Sequence, residues 1–400
     1  MTTNKIFYFK NKLFDFHINI FFIEIRLYFN GLLSFLLSLL KPDNYISLFK
    51  IYQNNKRENI LIIELNNFHS EIFPSWLFYL KKLSYENKIF FLAPGYVHKS
   101  RPFDVIEQAE NNGYAFYKMD PRIILLCFNL GFFSRYKKVI FNTDIFYFSP
   151  LDDYSQLLNI FKSKNALKNT IFLSHGILQS MGCRNSAVNL KSQLITISPT
   201  ISAEANIKYV VPLFNEDLFN QDAEKAKIFN QKKTFVSCGN IKIRSKDSNG
   251  LINALDETKK YDKNVNIIGK APKSLMKNQN IKHYGKKLSY VELKSNLQNS
   301  HFILFLLQDN ISYQYKFNSS SGSLPLALNF NLVPIIEESF AKFYCLDKTN
   351  AILYKEGELG VAIKYACNMK YNEYAKMQSL LINLKLNLIK ESLGNIKTIL

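Results

Sequence analysis

The residues best suited to chemistry lie in two segments of the second half. Ser319, Ser320, Ser321, Gly322 and Ser323 form a run of small hydroxyl residues that leads into LPLALNF and then the apolar LVPII. A serine-rich loop that opens a helix offers hydroxyl donors and a glycine over which a ligand can approach the backbone. The helix start adds free N–H groups and a positive dipole, which suit a diphosphate. The same residues also suit an ordinary serine-capped helix. The second segment is FVSCGNIKIRSKDSNGLINAL, residues 235–255: a strand, a turn at Gly239, a basic loop and a helix. Arg244 and Lys246 lie between that glycine and the helix, where they can clamp phosphates facing the serine run. Solvated loop cations are the plainer reading. Lys316, just ahead of the serines, adds another positive charge.

The first half offers acid–base groups. NNFHSE follows the apolar NILIIEL and carries His69 and Glu71, and SHG follows NTIFL and carries His175. A histidine in such a loop can take a hydroxyl proton as general base, and Glu71 can act itself or orient a histidine. A hydrogen-bonded loop residue is the plainer alternative for each. His98, Lys99 and Arg101 make a further basic loop, suited to a phosphorylated ligand or to solvent.

The elements that must position these groups alternate along the chain. NILIIEL, KIFFLAP, KKVIFN, NTIFLSHG and QLITIS are short apolar runs of strand type, separated by helical stretches such as Phe73–Leu83 and PRIILLCFNLGFF. Phe103–Gly113 reads as a helix stopped by glycine. Apolar strands alternating with helices imply a parallel sheet covered on both faces, with ligands at the carboxyl ends of its strands. KYVVPLFNEDLFN ends a strand at Pro212, and the polar stretch Gln221–Gln231 reads as a linker. A second alternation follows, from KTFVSCG through NVNIIGKAP, IKHYG and SHFILFLL to LVPIIEE. Two such halves in tandem bind a ligand in the cleft between them.

Composition bounds the classes. The chain has 400 residues, nearly half of them apolar, which excludes a disordered polymer. Lys and Arg outnumber Asp and Glu by 51 to 32, a formal net charge of +19. Such a surface attracts polyanions; no Lys/Arg block interleaved with stacking aromatics marks nucleic acid as the partner. Cys127, Cys183, Cys238, Cys345 and Cys367 are scattered without CxxC spacing, against a disulfide framework or a cysteine zinc site. Ile20–Leu40 is apolar almost all round, with a narrow stripe at Arg26, Asn30, Ser34 and Ser38. Three readings fit it: a helix packed on the first domain, a helix lying in a membrane interface, or a span, which Glu24, Arg26 and Gly31 disfavour. No signal-peptide cleavage pattern follows it, so a cytoplasmic protein is expected, peripheral at the inner face of the membrane if the interfacial reading holds.

The order of the second-half segments resembles the C-terminal domain of GT-B glycosyltransferases of bacterial lipopolysaccharide and capsule polysaccharide synthesis. The resemblance covers most of residues 208–366. It rests on the strand and basic loop with Gly239, Arg244 and Lys246, on VNIIG, and on Tyr284-Gly285 before Ser289-Tyr290-Val291-Glu292-Leu293. It rests further on Ser319–Ile336, matching the donor-binding segment, and on VVPLFNEDLF, similar to the family's hinge. The resemblance implies two Rossmann-like doubly wound α/β domains facing a cleft, and a transferase that uses a nucleotide-sugar as substrate with no metal or other cofactor. It implies a sugar-nucleotide donor held by Gly239, Arg244, Lys246, Lys316 and Ser319–Ser323, a glycan or lipid-linked acceptor, and a site-lining role for His175. Many retaining members carry two glutamates in the donor segment; Ser319 and Ala327 stand at those positions, which leaves the stereochemical outcome open. Glu337 and Glu338, beyond the strand, are placed to reach a ribose.

The expected organisation is an apolar extension at 1–57, an acceptor domain at 58–215 and a donor domain at 216–400. Two rivals remain. One is a non-catalytic membrane-surface protein with a degenerate transferase fold. The other is a metal-dependent GT-A transferase using Asp144 of Asn142-Thr143-Asp144, a triplet with only one of the carboxylates a hard cation wants.

Overall fold

A computed structural model of the chain describes residues 41–65, 72–105, 113–142, 169–174, 194–215, 229, 232–241, 246–276, 281–285, 288–312, 314–317 and 321–400. The Ile20–Leu40 segment and most of the expected linker lie outside these residues.

The first half begins with helix α1 (Pro42–Gln53), followed by β1 (Ile60–Ile63), α2 (Phe73–Lys82), β2 (Ile89–Ala93) and α3 (Gly95–Ser100). Then come β3 (Tyr114–Lys118), α4 (Pro121–Asn129), β4 (Lys138–Phe141), β5 (Thr170–Ser174), β6 (Leu194–Thr196), α5 (Pro199–Ala205) and β7 (Lys208–Tyr209). These seven strands form one sheet in the order β3-β2-β1-β4-β5-β6-β7, every pair parallel. β1 and β2 are buried along their whole lengths because helices cover both faces, which is why they read as unbroken apolar runs.

The second half repeats the pattern with β8 (Lys233–Cys238), α6 (Ser248–Glu257), β9 (Lys263–Ile268), α7 (Lys273–Met276) and β10 (Ile281–His283). It continues through α8 (Tyr290–Gln298), β11 (Phe302–Leu304), α9 (Asp309–Ser312), α10 (Gln314–Phe317), α11 (Ser323–Phe330), β12 (Val333–Glu337) and α12 (Glu338–Ala341). The chain closes with β13 (Ile352–Tyr354), α13 (Leu359–Asn368) and α14 (Tyr371–Ile399). Its sheet runs β10-β9-β8-β11-β12-β13, again all parallel. Both sheets are doubly wound. The strand order reverses between β1 and β4 in the first and between β8 and β11 in the second, which are the positions where open α/β sheets take ligands.

Local signals account for several boundaries. Ser289 and Glu292 form a reciprocal capping box that starts α8. Asp120 caps α4 ahead of Pro121. Three expectations need correction. The strand expected to end at Pro212 is only Lys208–Tyr209, because Val210 to Leu213 turn into the contact between the halves. Of the helix expected at Phe103–Gly113, the described start is a 3-10 turn at residues 102–105, with Phe103 tucked against β2 and β3, and residues 106–112 lie outside the described chain. The basic loop expected around His98 is the helix α3.

One apolar cluster joins the two halves. It runs from Trp76 and Leu80 on α2, through Val210, Val211 and Leu213, to Leu297, Leu328 and Leu388 on α8, α11 and α14. Two further clusters fill the outer layers, one behind each sheet. Asn329 fixes the connection: its Nδ2 donates to Pro212 O at 3.0 Å, and its Oδ1 accepts from Phe214 N at 2.9 Å. The buried Lys385 of α14 donates to Asn215 Oδ1 at 2.9 Å. No described helix is long and apolar enough to cross a membrane.

Candidate functional site

At the switch point of the second sheet, glycines lace three strand ends together. Gly239 follows β8 with φ +92°, and Gly269 follows β9 with φ +131°. A Cβ on Gly269 would stand 2.3 Å from the Gly239 carbonyl oxygen, so only glycine lets these two turns pack. Gly239 N donates to Ile268 O at 2.8 Å, and Gly269 N donates to Gly285 O at 3.0 Å. The result is a close-packed floor with exposed backbone at Gly239.

Lys246 sits against this floor. Residues 242–245, with Arg244, lie outside the described chain. The chain then re-enters with Asp247 N donating to Leu306 O at 2.8 Å, beside the end of β11. Leu306 is itself in the left-handed region at φ +51°. The Lys246 side chain is 6 % exposed, and its Nζ donates to Cys238 O at 2.6 Å. Burial pushes its amine down to about 8, with the Cys238 thiol acting weakly the other way. An ammonium has three donors and this one has a single partner among the described residues, so it retains donors for an anion. Asp247 caps α6 by accepting from Gly250 N at 2.7 Å. Around Lys246 and this helix start opens a cavity of about 420 Å³, also lined by Asn249, Gln308 and Asn310.

The serine run enters the same edge of the sheet. Ser319 and Ser320 lie outside the described residues. Ser321 and Ser323 are buried; Ser321 N donates to Tyr344 Oη at 3.2 Å, and Ser323 N donates to Ser321 Oγ at 3.3 Å. The Tyr344 hydroxyl in turn donates to Tyr315 O at 3.1 Å. The start of α11 is thus held from behind by a buried tyrosine. Gly322 has ordinary helical backbone, φ −61°, and a Cβ there would meet nothing within 4 Å. Its use is open space over the helix start, not unusual torsion.

Lys316 is less free than its sequence position suggests. Its Nζ pairs with Asp309 Oδ1 at 2.6 Å and lies 4.8 Å from the centre of the Phe340 ring. The pair lines a second cavity of about 640 Å³ beyond the ends of β12 and β13, with Glu337, Glu338, Lys342 and Lys355. Glu337 is 4 % exposed and bonded to Ser339 Oγ at 2.6 Å. Burial raises its carboxyl above the usual range, with Asp309 and Glu356 adding to the rise and Ser339 and Lys316 opposing it. Ala327, where the resembling family has a glutamate, is fully buried core.

His69, Glu71 and His175 lie outside the described residues, although β1 and β5, which lead to them, end on one edge of the first sheet. That edge holds a network that sequence reasoning missed. Glu64, directly after β1, is fully buried and accepts from Asn142 Nδ2 at 2.7 Å; Asn142 Oδ1 accepts from Trp76 Nε1 at 3.0 Å. The available signal was a carboxylate inside the apolar run NILIIEL. Tyr96 bonds to Leu65 O at 3.3 Å, and burial, then Glu64 and Asp120, raise its phenol. His98 stacks on Phe116 at 4.6 Å; burial and then Lys118 lower its imidazole, which leaves it poorly suited to bind phosphate. No group of three His, Cys, Asp or Glu side chains suited to a metal ion occurs among the described residues.

The fold has counterparts among solved structures. Anabaena HepE in complex with UDP-glucose superposes with a TM-score of 0.56 at 12 % identity, over 85 % of this chain and 98 % of that one. HepE with UDP gives 0.57 at 13 % identity, over 85 % and 99 %. A glycosyltransferase from Rickettsia africae ESF-5 gives 0.55 at 15 % identity, over 85 % and 97 %. This chain has the GT-B fold. The Asp144 reading falls with that result, because two complete Rossmann-like sheets have no place in a GT-A fold, and Asn142 is spent inside the first domain. Asp144 itself is outside the described residues. No family model matches the sequence, and no curated protein matches it.

Proposed function

We propose that this GT-B protein is a glycosyltransferase that moves a sugar from a nucleotide donor to a surface glycan or lipid-linked acceptor. The observation that carries the reading is the desolvated Lys246 ammonium beneath the Gly239 turn, at the switch point of the second sheet and beside the start of α6. A nucleoside diphosphate there meets a preformed positive charge in a dry setting, where charge stabilisation of a leaving group is strongest. Arg244 and the Ser319–Ser323 helix start would add to that charge without a metal, whereas Lys316 is paired with Asp309 and lines the neighbouring cavity. In the first domain, His175, His69 or Glu71 would accept the proton of the attacking hydroxyl. HepE, of the same fold, is a protein solved with UDP-glucose bound. A membrane-peripheral placement is supported by the outward row Tyr45, Ile46, Phe49 and Tyr52 on α1.

Thermal stabilisation by a panel of UDP-, GDP- and CMP-sugars tests donor binding. At least one should raise the melting temperature, and no response to any of them, nor to free UDP, GDP or CMP, would sink the proposal. The non-catalytic rival has Ala327 in its favour, since the usual glutamate is absent. Slow donor hydrolysis by the wild type, lost in Lys246→Ala, removes that rival.

A further inference from the structure

The outer part of the second domain carries a groove that the donor site does not use. Its floor is the sheet itself. Parallel register places Thr234 beside Asn264, and Asn266 beside Lys282, with all four side chains on one face. A buried parallel strand should be apolar on both faces, yet β9 reads KNVNII, with Asn264 and Asn266 at the first two positions of this face and Ile268 at the third. No described helix covers that end of the sheet. α8 stands beside it as a wall that presents Ser295 and Asn299, leaving a trough of about 1310 Å³. The trough runs from the amino ends of β8 and β9 to Tyr284 and Leu288 past the end of β10.

Its chemistry is specific. The side-chain amides of Asn264, Asn266 and Asn299 have no hydrogen-bond partner among the described residues. Each offers a donor and an acceptor side by side, the arrangement that pairs with neighbouring hydroxyls. The walls are cationic. Lys232 is committed to Asp262 at 2.7 Å, but Lys259, Lys260 and Lys282 have no carboxylate partner among the described residues. Lys282 lies 5.0 Å from the centre of the Tyr284 ring, which gives that end an aromatic face suited to the apolar side of a sugar. Free amides on the floor call for a polyol, and unpaired lysines on the rim call for an anion. A nucleic-acid strand would instead want a row of stacking platforms, and the lining carries only two aromatic rings, Tyr261 and Tyr284.

We propose that this groove binds an acidic glycan, a chain of sugars bearing carboxylate groups, outside the donor cleft. That the glycan is the acceptor or product rests on the glycosyltransferase reading; the binding itself does not. Calorimetry on the full chain with a defined oligogalacturonate, a malto-oligosaccharide of equal length and inorganic polyphosphate tests it. The oligogalacturonate should bind, and more tightly than the neutral oligomer. Asn264→Ala with Asn266→Ala should weaken it about ten-fold, a loss typical of buried sugar hydrogen bonds. Lys259→Glu with Lys260→Glu, on exposed positions away from the sheet, should weaken it without lowering the melting temperature and should flatten its salt dependence. UDP binding should be unchanged in every variant. No oligogalacturonate binding, equal binding of the neutral oligomer, or affinity indifferent to the asparagine changes would overturn the proposal. Polyphosphate binding as tightly, and with the same indifference, would reduce the groove to a charged surface and overturn it too. Failure of every nucleotide alongside success here would instead remove the transferase reading and leave a glycan-binding protein.

Discussion

Lys246 is the residue on which the proposed donor binding rests, and its burial makes that proposal sensitive to pH in a defined direction. Its amine lies at about 8 in the folded protein, against 10.5 for an exposed lysine. The folded value is depressed, so between these two values the unfolded chain binds the extra proton. Stability from this group therefore rises as pH climbs from about 8 toward 10.5, and below about 8 the fold bears the full cost of the buried charge. Nucleotide affinity runs the other way, because only the ammonium holds a diphosphate. Titration calorimetry with UDP should show affinity falling by up to about ten-fold between pH 7 and roughly pH 9, as the free site loses its proton. Lys246→Met should bind UDP at least ten-fold more weakly and show no such fall, since a truncated charge contact costs about 2–5 kcal/mol. A wild-type affinity that is flat over that range would place the phosphate elsewhere. Lysine and the glycine turn were legible as residue types. The burial was not, because it depends on Leu306, just past the end of β11 and far along the chain, receiving Asp247.

At the scale of elements, the site depends on how strand ends meet. Gly239 and Gly269 belong to neighbouring strands, and their turns pack backbone to backbone. Gly269→Ala should force them apart, at a cost on the order of 2–3 kcal/mol for the strained φ and the clash. Urea unfolding would report that loss, and UDP binding should weaken with it. If the variant keeps full stability, the turn is more forgiving than its geometry indicates. The strands themselves were readable in the sequence, since continuous apolar runs such as ILII and IFFLA mean burial on both faces. The capping box at Ser289 was readable as well, because its partners are three residues apart. The Glu64–Asn142–Trp76 network was not, since its members lie 66 and 78 residues apart and nothing local joins them. The helix at Gly95–Ser100 was misread as a loop because its basic residues suggested solvent, whereas Phe116 covers His98. The polar face of β9 is legible in KNVNII, where asparagines at 264 and 266 interrupt an otherwise apolar strand.

Across the whole molecule, α11 and α14 tie the proposed donor site to the domain junction. The start of α11 carries the serine turn, while its last residues bind the connection through Asn329. α14 has 29 residues, about 43 Å of helix, and reaches from Gln378, which donates to Asn331 O, to Ser392, which accepts from Val211 N. The far side of the first domain faces another way. There α1 buries Asn44, Ser47 and Ile51 and turns Tyr45, Ile46, Phe49 and Tyr52 outward, each more than half exposed. Phe132 stands 6.4 Å from Tyr52, and the exposed Leu130 extends the patch. Lys41, Lys50, Lys56 and Arg57 are exposed along the same helix and its exit. An apolar row edged by cations is the pattern that inserts shallowly into an anionic lipid surface. Phe49→Ser with Tyr52→Ser should leave the melting temperature within about 2 °C, because neither side chain is in the core. The same pair should sharply reduce flotation with phosphatidylglycerol vesicles while sparing UDP binding. Flotation that survives these changes but is lost when residues 1–40 are removed would move the lipid contact to the segment ahead of α1. Flotation that survives both would leave the basic surface, at +19 overall, as the source of attraction, and it should then vanish at high salt.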